Sequence, residues 1–403
     1  MNMFDLNKKI PFFLILNVMA LALLGGCQTG SKDLYGTKLA EQALNATITA
    51  NFAPDGRLWR LIPTDEAVFI DYSTDFGRTY SKPTRINPTD QRISVWPENP
   101  AILEISQSGR IHVLYNADDL QKATSFFSFS NDSGKTFSTP VKISDHADTA
   151  MNYMEKMLID KDGRLYMFWH DQRQGHHNQK LGSGILALYY GVTDDPASGN
   201  FNNRFVSDNV CSCCRTAATL SPEGQPVLFA RLVFPGGVRD HALIRMDRSG
   251  KWLPVRRVTN DHWRIDACPE HGPALAIDDR GRGHLAWFTL GDRRQGIYYA
   301  RTDDYGATLS DPIALGNPDH LPGHPDVIAV EDRVVIVWHE FDGEQAEVFA
   351  IESTDRGEHW TVAKRLASSQ GESSYPKLVN HRDRVFLSWS DTQNGHQLIE
   401  INP

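Results

Sequence analysis

"GRLYMFWHD", residues Gly163–Asp171, is a turn followed by an apolar run that ends in a carboxylate. It is one of seven such stretches. The others are "GRLWRLIP" at Gly56, "GRIHVLY" at Gly109, "GQPVLFARL" at Gly224, "GRGHLAWFT" at Gly281, "DRVVIVWHE" at Asp332 and "DRVFLSWSD" at Asp383. Their second residues stand 53, 54, 61, 57, 51 and 51 positions apart. Apolar runs of this length, rich in β-branched and aromatic residues and bounded by Gly and Asp, read as strands. Another strand follows each run, as in "SFFSFS" and "EVFAIES". One precedes each turn, as in "PAILEIS" and "PALAIDD", and a fourth comes later, as in "STPVKIS". Four strands per unit of about 50 residues is the arithmetic of a propeller blade. The chain is expected to be all-β, a β-propeller of four-stranded blades, with seven blades favoured and six as the alternative. The last unit has only three strands before Pro403, so a segment near Leu34–Leu44 is expected to close the ring.

A second signature sits between the third and fourth strands of a unit. It reads Ser73-Thr74-Asp75-Phe76-Gly77-Arg78-Thr79-Tyr80 in the first copy. It recurs from Ser130, Thr302 and Ser353, with degenerate versions at Thr193–Phe201 and Met246–Trp252. Asp accepts backbone N–H groups within such a turn, and Gly takes a left-handed conformation. These octads resemble the Asp-box repeats of the sialidase superfamily. The resemblance implies a propeller; it says little about activity, because function lives in sites grafted on folds.

The N-terminus reads as a targeting segment. Lys8 and Lys9 precede the apolar run Pro11–Leu24, which is right for a signal peptide and short for a membrane span. It ends in Leu24-Gly25-Gly26-Cys27, which resembles the bacterial lipobox. The resemblance implies removal of residues 1–26, lipidation of Cys27 and, with Gln28 next, residence at the outer membrane through a lipid anchor. Residues 27–45 then form a tether, and 46–403 a single propeller. Losing Lys8, Lys9 and Asp5 takes the formal net charge from −9 to −10, and an acidic chain without a basic run is no nucleic-acid binder.

"FVSDNVCSCCRTAATL", Phe205–Leu220, packs Cys211, Cys213 and Cys214 into four positions. It links blades three and four. The one other mature cysteine beyond Cys27, Cys268, lies on the next link with Glu270 and His271; His324 lies on the one after, and Met151 and Met154 on the one before. These links are expected to ring the central channel on one face. In an oxidising compartment the thiols read either as a disulfide staple, Cys211 or Cys213 to Cys268, or as ligands for copper or zinc, or as a redox thiol.

The sialidase resemblance implies three arginines on a sugar carboxylate and a Tyr–Glu nucleophile. Arg173, Arg239 and Arg294 occupy equivalent hairpins, Arg215 follows the thiols, and Tyr375 sits where a late nucleophile would enter its blade. Glu98, Glu155 and Glu270 are its candidate partners. The Arg-Ile-Pro element of sialidases is only echoed in "RLIP" at Arg60–Pro63, inside a strand of the first blade. The leading expectation is thus a cell-envelope protein that binds a ligand or soft metal at a Cys/His-rich rim. An exo-glycosidase acting on an acidic sugar is the alternative, and a scaffold for an envelope protein the third.

Overall fold

The computed structural model describes residues 44–119, 122–173, 185–265, 267 and 269–402. Cys27, Cys268 and residues 34–43 of the expected ring-closing strand lie outside them. Regular structure is almost all antiparallel strand, and no helix of the described residues is long and apolar enough to cross a membrane.

The strands fall into seven units in chain order. The first is Thr49–Phe52, Leu58–Pro63, Val68–Ser73 and Thr84–Arg85. The second is Ile102–Ile105, Ile111–Asp119, Lys122–Ser130 and Val141–Lys142, with Arg92–Ile93 added beside its second strand. The third is Asn152–Ile159, Leu165–Asp171, Ile185–Thr193 and Arg204–Cys211; the fourth is Ala217–Leu220, Pro226–Phe234, Val238–Arg245 and Arg256–Arg257. The fifth runs Ala274–Ile277, Gly283–Leu290, Gln295–Thr302 and Ile313–Leu315, and the sixth Gly323–Val330, Arg333–Phe341, Ala346–Ser353 and Lys364–Ser369. The seventh has three strands among the described residues, Lys377–His381, Arg384–Asp391 and Gly395–Ile401. The first strands of the units adjoin one another in a cycle, from Thr49–Phe52 round to Lys377–His381 and back. The chain is an all-β propeller with a channel along the inner strands. Units three and four share one sheet, because Val210 at the end of the outermost strand of unit three pairs with Leu232.

The repeated second strand supplies the core. Trp169, Trp287, Trp338 and Trp389 are almost completely buried at equivalent positions. A buried indole N–H needs an acceptor. Trp169 Nε1 donates to Asp171 at 2.7 Å and Trp338 Nε1 to Glu340 at 2.7 Å, so the carboxylate two residues on, on the same strand face, serves the ring. Trp287 instead uses Asp261 and Trp389 the Ser374 carbonyl.

The turn octads are built alike. Ser73 Oγ receives Gly77 N–H at 2.8 Å, and Asp75 receives Thr79 N–H at 2.9 Å and the Thr79 hydroxyl at 2.6 Å. The same set recurs around Asp132 and Asp304, and around Asp355 with His359 in place of threonine. These bonds pull the carboxyls of Asp75, Asp132 and Asp304 down to about 2. Two left-handed residues in a row make the turn, the residue before the glycine joining it: Phe76 and Gly77, Ser133 and Gly134, Tyr305 and Gly306, Arg356 and Gly357. The middle residue of Ser/Thr-x-Asp takes a second duty. Arg110, Arg164 and Arg282, the second residues of the other signature, donate Nε to Asn131, Asp194 and Asp303 at 2.6, 2.6 and 2.7 Å. The two sequence signatures of a blade are thus bonded to each other.

The glycine has a further reason. A Cβ on Gly134 would stand 2.7 Å from the Trp59 ring of the preceding blade, and one on Gly357 would run into the Tyr299 hydroxyl. Gly109, also left-handed, has nothing within 4 Å. Gly109→Ala is expected to lose only the conformational term, about 1 kcal/mol, whereas Gly357→Ala adds overpacking of about 1–3 kcal/mol. Denaturant midpoints of the two variants check this: Gly357→Ala should fall well below Gly109→Ala.

Candidate functional site

The links between blades meet at one carboxylate. Glu98, on the link into blade two, is 2 % exposed. Its Oε1 accepts the backbone N–H of Gly272 at 2.7 Å and of Arg215 at 3.2 Å. Its Oε2 accepts Arg215 Nη1 at 2.5 Å, and Arg215 Nη2 reaches on to the Pro325 carbonyl at 3.0 Å. One buried ion pair thereby joins the links into blades two, four and five to the first strand of blade six. Gly272 must be glycine here, since a Cβ would meet both the Arg215 side chain and Glu98.

Against this pair stands a column of four rings. Phe288 and His271 have centroids 4.0 Å apart, His271 and His324 4.4 Å, and His324 and Tyr375 3.3 Å with planes 7° from parallel. Burial holds both imidazoles well below their ordinary value, and nearby guanidinium groups push the same way, Arg231 on His271 and Arg215 on His324. They are therefore neutral. Gly323 makes room for the column: a Cβ there would stand 2.8 Å from His271 Cε1.

Strain collects at the same place. Met154 and His324, which lie inside the first strands of blades three and six rather than on the expected links, and Glu270, on the link into blade five, have φ of 57°, 50° and 52°. The inner strands of blades three and six slip register beside Met154 and His324. Left-handed non-glycine residues are held only where surroundings over-determine them, and they cluster at functional sites. Glu270 is half-buried, and burial first and the charge of Glu98 second push its carboxyl up to about 7. Tyr375 is raised by burial and by the charges of Glu98 and Glu270, so its phenol keeps its proton.

Two cavities flank this centre. One of about 510 Å³ is lined by Trp96, His339, Phe341, Glu344, Glu372 and Tyr375 among others. The other, about 290 Å³, is the channel itself, with Glu98, Glu104, Lys156, Arg215, Asp326 and Lys377 on its wall. Desolvation lowers Lys377 to about 8 and raises Glu104 to about 7.

The thiols form a separate cluster beside the channel. A turn closes Cys211–Cys214, with Cys214 N–H on the Cys211 carbonyl at 3.4 Å. The three sulfurs lie within 4.8 Å of one another, and Cys211 and Cys214 Sγ are 3.3 Å apart. All three cysteines are buried thiols. His170 Nδ1 meets the Ser212 carbonyl at 3.2 Å and Nε2 the Thr216 hydroxyl at 3.1 Å. A carbonyl only accepts, so Nδ1 carries the proton, and burial, lowering this imidazole to about 4, keeps it neutral. Arg231 Nη1 donates to Cys214 Sγ at 3.1 Å, and Arg239 Nη1 to Cys211 Sγ at 3.2 Å.

The structure therefore gathers Glu98, Arg215, Glu270, His271, His324 and Tyr375, and among the described residues its close thiol cluster holds Cys211, Cys213 and Cys214 without the two histidines. The three hairpin arginines meet different partners among the described residues. Arg173 pairs with Asp171 at 2.9 Å and Asp145 at 2.6 Å, Arg239 with the Ile265 carbonyl and Cys211, and Arg294 with Asp261 at 2.7 Å. Glu155 bonds Asn116 and Ser125, and burial raises its carboxyl. Arg231, Phe288 and Lys377 were missed by sequence; an arginine inside the apolar run "PVLFARLVF" was the signal for the first.

No family model matches the chain, and no curated protein does. Among solved structures it is similar to an ulvan lyase, a polysaccharide lyase bound to -[GlcA(1-4)Rha3S]-, with 12% identity over 90% of this chain and 92% of that one and a TM-score of 0.56. A second polysaccharide lyase gives 13% identity, 95% coverage of both chains and 0.56. The sialidase of Trypanosoma rangeli gives 12% identity, 75% of this chain, 54% of that one and 0.46. At such identities the likeness is one of fold.

Removing one partner of a buried ion pair leaves the other charge uncompensated, at a cost of about 3–5 kcal/mol, whereas replacing both with apolar groups costs far less. Glu98→Gln is expected to lower the unfolding midpoint sharply and Glu98→Leu with Arg215→Met to regain part of it. A strictly additive double mutant would show that the two residues do not act as a pair.

Proposed function

We propose that the chain is a cell-envelope lipoprotein, tethered to the outer membrane through Cys27, whose propeller face binds and processes a carbohydrate chain. The observation that carries this reading is Tyr375 on the wall of a cavity of about 510 Å³, with Glu270, outside that lining, close enough for its charge to act on the phenol. Aromatic faces on Trp96 and Phe341 suit the apolar face of a sugar ring, and the carboxylates of Glu344 and Glu372 suit its hydroxyls. A carboxyl near 7 gives or takes a proton at neutral pH, and a phenol that keeps its proton donates. The solved neighbours with the same fold include polysaccharide lyases, which supports a saccharide as ligand. An exo-sialidase is the weaker reading, because Arg173, Arg239 and Arg294 are committed to separate internal partners.

The test is a panel of neutral and uronate-containing polysaccharides, followed by binding, new reducing ends and unsaturated products. Turnover is expected to drop about 100-fold or more in Tyr375→Phe and Glu270→Gln, with binding retained. If Glu270 is the acid, it is protonated below about 7, so the rate falls as pH rises through that value; Glu270→Gln removes this limb. Binding without turnover would leave a lectin-like protein, and no binding across the panel would overturn the reading. For the anchor, Cys27→Ser should abolish incorporation of labelled fatty acid and release the protein from membranes; retained labelling would refute lipidation there.

A further inference from the structure

The thiol turn is not needed for the saccharide reading, yet all three of its cysteines are buried. Cys211 is fully buried, Cys214 is 1 % exposed and Cys213 is 8 % exposed. We propose that Cys211, Cys213 and Cys214 form a three-thiolate site for a soft monovalent metal ion, with Cu(I) as the ion the geometry fits.

Charge is the first argument. Arg231 is 1 % exposed in the middle of a strand whose side chains are nearly all buried. Its contacts are Cys214 Sγ, the Phe288 carbonyl at 2.6 Å and the face of Trp263, 4.6 Å from guanidinium to ring centroid. Among the described residues it makes no ion pair with a carboxylate. A guanidinium taken out of water needs a nearby negative charge, and the sulfurs are the groups placed to carry it. Arg239 approaches Cys211 in the same way. Thiolate is the form that binds metal.

Geometry is the second argument. Thiolate–metal bonds of about 2.3 Å put the sulfurs of a three-coordinate site about 4 Å apart. The sulfurs here all lie within 4.8 Å of one another, and the Cys211–Cys214 pair at 3.3 Å has to open by less than 1 Å. The same pair is well outside the about 2.05 Å of a disulfide.

Donor type and number are the third. Structural zinc takes four ligands, and among the described residues no histidine or carboxylate joins the three sulfurs within that distance. Soft thiolates without a hard ligand select Cu(I), and a monovalent ion is less opposed by two neighbouring guanidinium groups than a divalent one. Those groups then act as the hydrogen-bonding outer shell of the metal-bound sulfurs.

The test uses the whole mature chain, reduced without oxygen and titrated with Cu(I) against a chromogenic Cu(I) chelator. One equivalent per chain is expected, not displaced by excess Zn(II), with X-ray absorption showing only sulfur neighbours at about 2.3 Å. Cys211→Ser or Cys214→Ser should abolish the stoichiometric uptake while circular dichroism stays unchanged. Removing an outer-shell donor typically weakens metal affinity about 10- to 100-fold. Arg239→Gln should do so, and it replaces Arg231→Met if that variant fails to fold. No uptake by the reduced chain, or uptake that survives the serine variants, overturns the proposal. So does a Cys211–Cys214 disulfide, found by peptide mapping of untreated protein, if its reduction gives no Cu(I) binding.

Discussion

The ion pair of Glu98 and Arg215 sets the geometry of the channel. It joins residues 117 positions apart, and the bond from Gly272 spans 174. Each inner strand enters the ring through a link, and a link with no fixed point would be a loop on the surface. Here one carboxylate takes backbone N–H groups from two links and a guanidinium from one, and that guanidinium holds the first strand of blade six by the Pro325 carbonyl. A buried pair adds little net stability over a packed apolar core, because desolvation cancels much of the attraction. What it adds is specification. Three links and one inner strand can meet at Glu98 in only one register, and the positive φ of Glu270 and His324 is the local cost of meeting there.

The same link faces two ways. Cys214 and Arg215 are consecutive, so the turn that carries the thiols also delivers the guanidinium to Glu98. His170 grips this link on both sides, at Ser212 and Thr216. The joining of the sheets of blades three and four through Val210 and Leu232 stiffens its approach. A segment fixed at both ends, with its middle in a tight turn, leaves its sulfurs few places to go. That is the condition for a preorganised site.

The repeats were legible because their chemistry is local. Ser73, Asp75, Gly77 and Thr79 bond one another within seven residues, and any chain that repeats them repeats the turn. Blade equivalence then carried Glu98, Arg215, Glu270, His271, His324 and Tyr375 to one rim, since residues on equivalent links surround one axis. The hairpin arginines had the same equivalence, but each meets a carboxylate or carbonyl of its own or a neighbouring segment, as Arg294 meets Asp261. Composition could not tell a rim arginine from a hairpin arginine. The contacts of Arg231 and the stacking of the rim rings were illegible for a different reason. They arise from packing between segments about 50 residues apart, where no pattern within a window records which faces touch.

Phe288 is where the two chemical centres meet. Its carbonyl accepts Arg231 Nη2 at 2.6 Å, and its ring stacks on His271 at 4.0 Å. The thiol cluster is thus joined to the ring column through one residue's backbone and side chain: Cys214, Arg231, Phe288, His271, His324, Tyr375. In a close-packed interior such contacts do not yield continuously. A shift of Arg231 that follows the sulfurs must either break its bond to the Phe288 carbonyl or move that strand. Moving the strand displaces a ring stacked on His271, whose surroundings are close enough that a Cβ on Gly323 would stand 2.8 Å from its Cε1. The thiol turn and the Tyr375 pocket are therefore two ends of one packed unit, and what fixes the geometry at one end constrains it at the other.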